Sequence, residues 1–164
     1  MSSETKSTSK VALRAGIVTG QVAGLIMAVV VMAVFVIVLG KGPLFPVQVI
    51  GSALLGESAL HGFNFGAVLV GLVLHQLGPS LLWGAVFGLV ASKLSIETVA
   101  GALKLGLALS VVSMVGPYVL IPAIMNGLHG VDFWNREVPM MWDWAAHIVF
   151  GLSFGLYPAI VKKL

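Results

Sequence analysis

The chain has 164 residues and a formal net charge of +3, with 59% hydrophobic and only 9% charged residues. Soluble domains carry roughly 25% charged residues, so this composition excludes that class. Cysteine is absent, which excludes disulfides, thiolate metal sites and cysteine-ligated iron–sulfur clusters.

Four long apolar stretches predict an all-α fold, a polytopic integral membrane protein built as a four-transmembrane-helix bundle. About 20 helical residues cross a hydrocarbon core of about 30 Å. No stretch alternates polar and apolar residues, so the strands of a membrane barrel are not expected. We expect a disordered cytoplasmic tail over residues 1–10, a transmembrane domain over residues 11–164, and spans over residues 11–40, 65–91, 100–125 and 141–161.

The basic residues predict the orientation of these spans. Two of them, Lys41 and Arg136, lie on one side of the predicted topology. Seven lie on the other side: Lys6, Lys10, Arg14, Lys93, Lys104, Lys162 and Lys163. The positive-inside rule therefore predicts that both termini are cytoplasmic. This topology accounts for most of the positive charge, so the lipid bilayer is the expected partner and nucleic acid is not.

The two loops on the opposite side carry further signals. Pro46 suits the first turn of a helix, so residues 47–60 are predicted to form a short helix along the membrane surface. Trp134, Trp142 and Trp144 are typical of an aromatic belt at the interface. Asp143 is predicted to lie beside them at headgroup level, near the N-terminus of the fourth span, where the helix dipole favours an anion.

Pairs of glycines spaced by four residues predict close helix packing, since small residues let helix backbones approach. The pairs are Gly20 with Gly24, Gly84 with Gly88, and Gly151 with Gly155. In the second and fourth spans, a histidine precedes such a pair. This pattern indicates that the bundle is two repeated helical hairpins related by an axis along the membrane normal.

His75 and His147 are the candidate cofactor-binding residues, both predicted in the outer half of the bilayer. Two imidazoles on different helices are what a bis-histidine haem b requires, and a quinone head group accepts a hydrogen bond from either one. The alternative is packing, in which each histidine bonds to a backbone carbonyl of a neighbouring helix. Pro79 favours this for His75, because it frees the His75 carbonyl and bends the span there. We expect no cofactor, with haem b or quinone as the alternative.

Catalytic and metal sites are not expected. The chain has no phosphate-binding glycine loop, no Gly-x-Ser-x-Gly elbow and no His-Glu-x-x-His helix. The predicted spans hold no carboxylate at mid-depth, which disfavours an ion-coupled transporter.

With these spans, glycine pairs and histidines, the chain resembles the small, functionally unassigned four-span inner-membrane proteins of bacteria. The resemblance implies a bacterial cytoplasmic membrane and no activity. The small size and small-residue faces favour a non-catalytic accessory or structural subunit of a larger membrane complex, with a respiratory or other electron-transfer assembly as host. The alternatives are a haem b or quinone-site protein using His75 and His147, and a small transporter or channel formed by self-association.

Overall fold

The computed structural model describes the backbone of residues 3–164 and the side chains of residues 9–164. This part of the chain is all-helical and contains no strand. The α-helices are α1 (Ser3–Ile37), α2 (Phe45–Leu55), α3 (Phe65–His75), α4 (Leu81–Lys93), α5 (Val99–Ser113), α6 (Ile121–His129), α7 (Phe133–Glu137), α8 (Met140–Ser153) and α9 (Tyr157–Val161). Two π-helical turns, Gln76–Ser80 and Gly116–Leu120, join α3 to α4 and α5 to α6. Two 3₁₀ turns, Glu57–Leu60 and Phe154–Leu156, follow α2 and α8.

Joined through these turns, the helices form four continuous rods that are long and apolar enough to cross a membrane. They cover Ser9–Ile37, Phe65–Lys93, Val99–His129 and Met140–Val161. Their bounds agree with the predicted spans to within a few residues, and the largest difference is a third rod that continues to His129. Residues 3–10, predicted as a disordered tail, belong to α1. Residues 1 and 2 of that tail lie outside the described residues.

Local sequence explains where several helices begin. The Asn64 side chain accepts a hydrogen bond from the Ala67 N–H at 3.0 Å, and Thr98 accepts one from Gly101 at 3.1 Å. Asp132 does the same for Asn135 at the start of α7. Such caps satisfy the free N–H groups of a first helical turn. We call the end of the bundle with residues 38–64 and 130–139 the connector end, and the opposite end, with residues 94–98 and both chain termini, the terminal end.

Glycines bring the first two rods into backbone contact. A Cβ atom added to Gly16 would lie 2.5 Å from the Gly88 Cα, and one added to Gly84 would lie 2.7 Å from the Gly16 oxygen. The same rods approach at Gly20 and Gly84. α1 and α4 therefore run antiparallel with no room for side chains between them, the arrangement that allows helices to associate in an apolar solvent.

A second antiparallel hairpin forms between α5 and α8. A Cβ atom on Gly151 would lie 2.8 Å from the Gly106 oxygen and 2.9 Å from the Ser110 side chain. Gly155 lies one turn further on, beside the Leu103 side chain. α8 also packs against α1, so α1 and α8 join the two hairpins.

The short helix α2 is not the surface helix that the sequence predicts. It packs backbone to backbone on α3, with Gly51 against Ala67 and Gly71 against Val47. These contacts are four residues apart on both helices and in opposite order, so α2 runs antiparallel alongside α3. Seven of its eleven residues are buried. The prediction was wrong because Gly51 and Gly71 remove the bulk that would otherwise hold α2 at the surface.

Ion pairs link the two connecting segments, residues 38–64 and 130–139. Arg136 of α7 bonds to Glu57 at 3.0 Å and to Glu137 at 2.9 Å, and Lys41 lies 4.0 Å from Glu137. The hydrogen bonds that Arg136 donates to Glu137 and to Glu57 raise the pKa of Arg136 above its ordinary value. The stabilisation from this pairing is fully present at any pH below the ordinary pKa of the guanidinium. It is lost only as the pH rises through the raised pKa. The Arg136 guanidinium therefore stays charged at every physiological pH.

We predict that Gly56→Ala destabilises the protein by about 1–3 kcal/mol, because its backbone lies in a region that essentially only glycine occupies. Gly56 has φ 71° and ψ −163°, and an added Cβ would lie 3.2 Å from the His129 Nδ1. Thermal unfolding in mild detergent measures the loss. Gly66→Ala is the control, because its Cβ would meet only the Asn64 side chain at 3.4 Å. Equal melting shifts in both variants would contradict the prediction.

Candidate functional site

The candidate site is a cavity of about 150 Å³ towards the connector end of the bundle. Side chains from α1, α2, α3, α7 and α8 line it. Most of them are aliphatic, including Ala28, Val31 and Val149. The polar and aromatic exceptions are Phe35, His75, Trp134, Trp142 and Asp143. The cavity is therefore an apolar space that a few polar groups reach.

The cavity follows from the way the second rod changes partners. At Gln76–Ser80 and beyond, this rod packs on α1, whereas α3 packs on α2. The change coincides with the π-helical turn that contains Pro79, and both prolines and π-helical turns are common causes of kinks. α2 takes the place beside α3 and leaves unfilled space between itself, α1 and α8.

His75 lies at the point where the second rod changes partners. Its Nε2 lies 3.1 Å from the Gly24 carbonyl oxygen on α1. A carbonyl only accepts, so Nε2 carries the proton and Nδ1 of the neutral ring is left as an acceptor. The His75 carbonyl, freed by Pro79 as the sequence predicts, accepts a hydrogen bond from the Ser80 hydroxyl at 3.0 Å. This is the packing geometry named above as the alternative to ligand binding.

Asp143 is the most buried charged residue of the site, with 3% of its surface exposed. The Trp134 indole Nε1 donates to Asp143 Oδ2 at 3.3 Å, and His147 Nδ1 lies 3.2 Å from Oδ1. Asp143 lies in the first turn of α8, near the positive end of the helix dipole. The Trp134 hydrogen bond, the nearby His147 ring and the dipole together compensate a carboxylate that would otherwise be costly to bury.

His147 lies on α8 but does not line the cavity. Its Nδ1 also lies 2.9 Å from the Asp143 backbone oxygen, one helical turn earlier. His147 therefore contacts Asp143 within α8, and does not bind across the cavity.

The two candidate histidines are placed differently relative to the cavity. The Nε2 of His75 is bonded to the Gly24 carbonyl, which leaves its Nδ1 as the other ring nitrogen. Only His75 of the pair lines the cavity, and a volume of about 150 Å³ suits one six-membered ring rather than a macrocycle of four. Beside the two histidines, Gly71 packs against Val47 and Gly151 against Gly106, whereas nothing lies within 4 Å of a Cβ atom added to Gly78.

Two further buried polar atoms, outside the cavity lining, have no hydrogen-bond partner among the described residues. They are Gln76 Oε1 and the Tyr118 hydroxyl, both buried. The Gln76 backbone oxygen accepts a hydrogen bond from Gln21 Nε2 at 2.8 Å. Tyr118 lies against Trp144, with ring centroids 6.5 Å apart. No cluster of three metal-ligating side chains occurs in the part of the chain that was described.

The predicted packing glycines lie at helix contacts. Gly20, Gly84 and Gly88 lie between α1 and α4, and Gly151 and Gly155 lie between α8 and α5. Gly24 lies against the side chains of Gln76 and Ser80 and provides the carbonyl that His75 bonds.

Comparison with protein-family models, curated proteins and solved structures finds no match to this chain. The geometry of the site is therefore the basis for the functional proposals.

Sequence reasoning missed Asp143 and Trp134 as site residues and assigned both to the membrane interface. Trp134 instead bonds to Asp143, and Trp142 lines the cavity. Trp144 is 38% exposed, whereas Trp134 and Trp142 are half-buried. One signal was present in the sequence: Asp143 and His147 are four residues apart, so their side chains meet on one helix face.

Proposed function

We propose that the protein is a multi-pass protein of the bacterial cytoplasmic membrane, with both termini in the cytoplasm. The distribution of side chains over its surface supports this. Large aliphatic residues such as Val29, Leu77 and Val111 are more than half exposed, whereas Thr19, Ser80 and Ser110 are buried. A lipid environment accepts this arrangement, since exposed aliphatic side chains cost nothing there. The terminal end carries the majority of the basic residues, which supports the orientation.

Within that membrane, we propose a non-catalytic accessory subunit of a larger complex, preferably an electron-transfer assembly. The observation that supports a partner is open space above three helical glycines. Nothing lies within 4 Å of a Cβ atom added to Gly78, Gly116 or Gly127. A helix of another subunit, or of a second copy, can approach the backbone closely at such positions. The two glycine-packed hairpins also favour the proposed internal repeat.

Purification in a mild detergent tests the subunit role. We expect the protein to co-elute with other membrane proteins, and Gly78→Leu to release it, because the new side chain occupies the proposed contact. Gly66→Leu is a matched control outside the three open positions. A monodisperse 17.1 kDa monomer without partners, from wild type and from both variants, would contradict the proposal.

A second candidate function is binding of a quinone-class ring, favoured by the cavity that His75 lines. A 150 Å³ apolar cavity holds one benzene-sized ring. Lipid extraction from the purified protein tests this candidate. We expect about one quinone or quinol per chain from the wild type and much less from Ala28→Leu, whose side chain enters the cavity. Ala33→Leu, on the exposed side of the same helix, is the control. Equal amounts from all three proteins would contradict a ligand in this cavity.

A further inference from the structure

We infer that the cavity selects a ring that donates a hydrogen bond, that is, a phenol or a reduced quinol rather than a quinone. This inference rests on the second candidate function, since it assumes that a ring enters the cavity. It adds the chemical class of the ligand and the two side chains that recognise it, Asp143 and His75.

The available hydrogen-bonding groups at the cavity are mainly acceptors. The Nε2 proton of His75 is taken by the Gly24 carbonyl, so the ring offers only the Nδ1 lone pair. A quinone carbonyl is itself an acceptor and finds no proton on that nitrogen. A hydroxyl on the ring does find a partner there.

Asp143 offers the same kind of group. A carboxylate has about four lone-pair sites, and the Trp134 N–H uses one of them, while His147 Nδ1 lies 3.2 Å from Oδ1. The remaining sites lie on a side chain that is 3% exposed, where water competes poorly. A hydrogen bond from a ligand hydroxyl to this carboxylate is charge-assisted and therefore among the stronger ones.

The rest of the lining neither supplies a strong donor nor favours a more polar ligand. The Trp134 N–H is already bonded to Asp143. The Trp142 indole is the remaining N–H among the lining side chains, and a hydroxyl group can accept from it while donating to Asp143. The other lining side chains are aliphatic, proline, methionine or phenylalanine. A neutral ring with one or two hydroxyl groups fits both the volume and this chemistry.

The test is a ¹⁹F NMR titration of protein in nanodiscs with 4-fluorophenol and with 4-fluoroanisole, its methyl ether. Both carry the same ring, but only the phenol donates a hydrogen bond. Empty nanodiscs give the contribution from partition into lipid. We expect saturable binding of the phenol to the wild type and to Ala33→Leu, at least about tenfold tighter than binding of the ether. Ala28→Leu should bind neither compound.

The variant Asp143→Asn tests whether Asp143 causes the preference for the phenol. It keeps the size of the side chain and replaces one acceptor oxygen with a donor amide. We expect the preference for the phenol to fall below about threefold in this variant. Equal binding of phenol and ether by the wild type overturns the inference while the quinone-class site stands. A preference that is unchanged in Asp143→Asn overturns the role of Asp143. No saturable binding of either ring overturns the inference together with the second candidate function.

Discussion

Gly84→Leu is expected to destabilise the protein by about 3 kcal/mol, the upper end of the usual cost of overpacking a core. At this position α1 and α4 meet through their backbones. An added Cβ would lie 2.7 Å from the Gly16 oxygen, 3.0 Å from the Gly20 Cα and 3.2 Å from the Ile17 Cα. All three are backbone atoms, so no rotation of a side chain relieves the contact. The helices must separate, and neighbouring contacts along α1 weaken with them.

Titration with a denaturing detergent, followed by circular dichroism, measures this loss. Gly127→Leu is the matched control, because Gly127 is also a helical glycine and an added Cβ meets nothing within 4 Å. Its free energy of unfolding should stay within about 0.5 kcal/mol of the wild type, since leucine is also the better helix former. Equal losses in the two variants would show that glycine content, rather than the contact between α1 and α4, stabilises the bundle.

Asp143→Ala is expected to cost about 2–3 kcal/mol, because it removes a buried charged acceptor from the Trp134 N–H and from its contact with His147. The Trp134 N–H, which bonds to Oδ2 at 3.3 Å, is left without an acceptor. His147 keeps only its contact with the Asp143 backbone oxygen. Asp143→Asn retains one carbonyl oxygen and should lose less than half as much. The free energy of unfolding in the same detergent titration measures both variants.

A double-mutant cycle with Trp134→Phe separates the hydrogen bond from other effects of the substitution. Phenylalanine keeps an aromatic ring in the cavity wall and removes the N–H group. If Trp134 and Asp143 are partners, their combined loss is smaller than the sum of the single losses by about 0.5–3 kcal/mol. Additive losses would contradict the contact.

The sequence was sufficient to predict the four rods, because their signal is local. Each consists of about 20 or more predominantly apolar residues, and caps such as Asn64 and Thr98 lie beside them in the chain. The glycine pairs also lie at helix contacts, since spacing by four places both members on one face. The carbonyl freed by Pro79 follows from a covalent property of proline.

The cavity was not predictable from the sequence, because it depends on contacts between distant segments. Nothing local shows that Gly51 and Gly71 meet Ala67 and Val47 and so bring α2 alongside α3. A connector tryptophan and an aspartate at the start of a span are typical of an interface belt. Their contact in the cavity wall requires α7 and α8 to pack against α1 and α2, and single-sequence patterns carry no information on that packing.

Labelling of single cysteines tests most directly whether this polypeptide is threaded four times through lipid. The native chain has no cysteine, so each introduced thiol is the only one present. Exposed positions are available at the connector end, Ser58→Cys and Val131→Cys, and at the terminal end, Ser95→Cys and Lys163→Cys. A membrane-impermeant maleimide should label the first two in intact spheroplasts and the last two only after the membrane is opened. Labelling of one connector position together with one terminal position in intact spheroplasts, or recovery of the chain in the soluble fraction, would contradict the account.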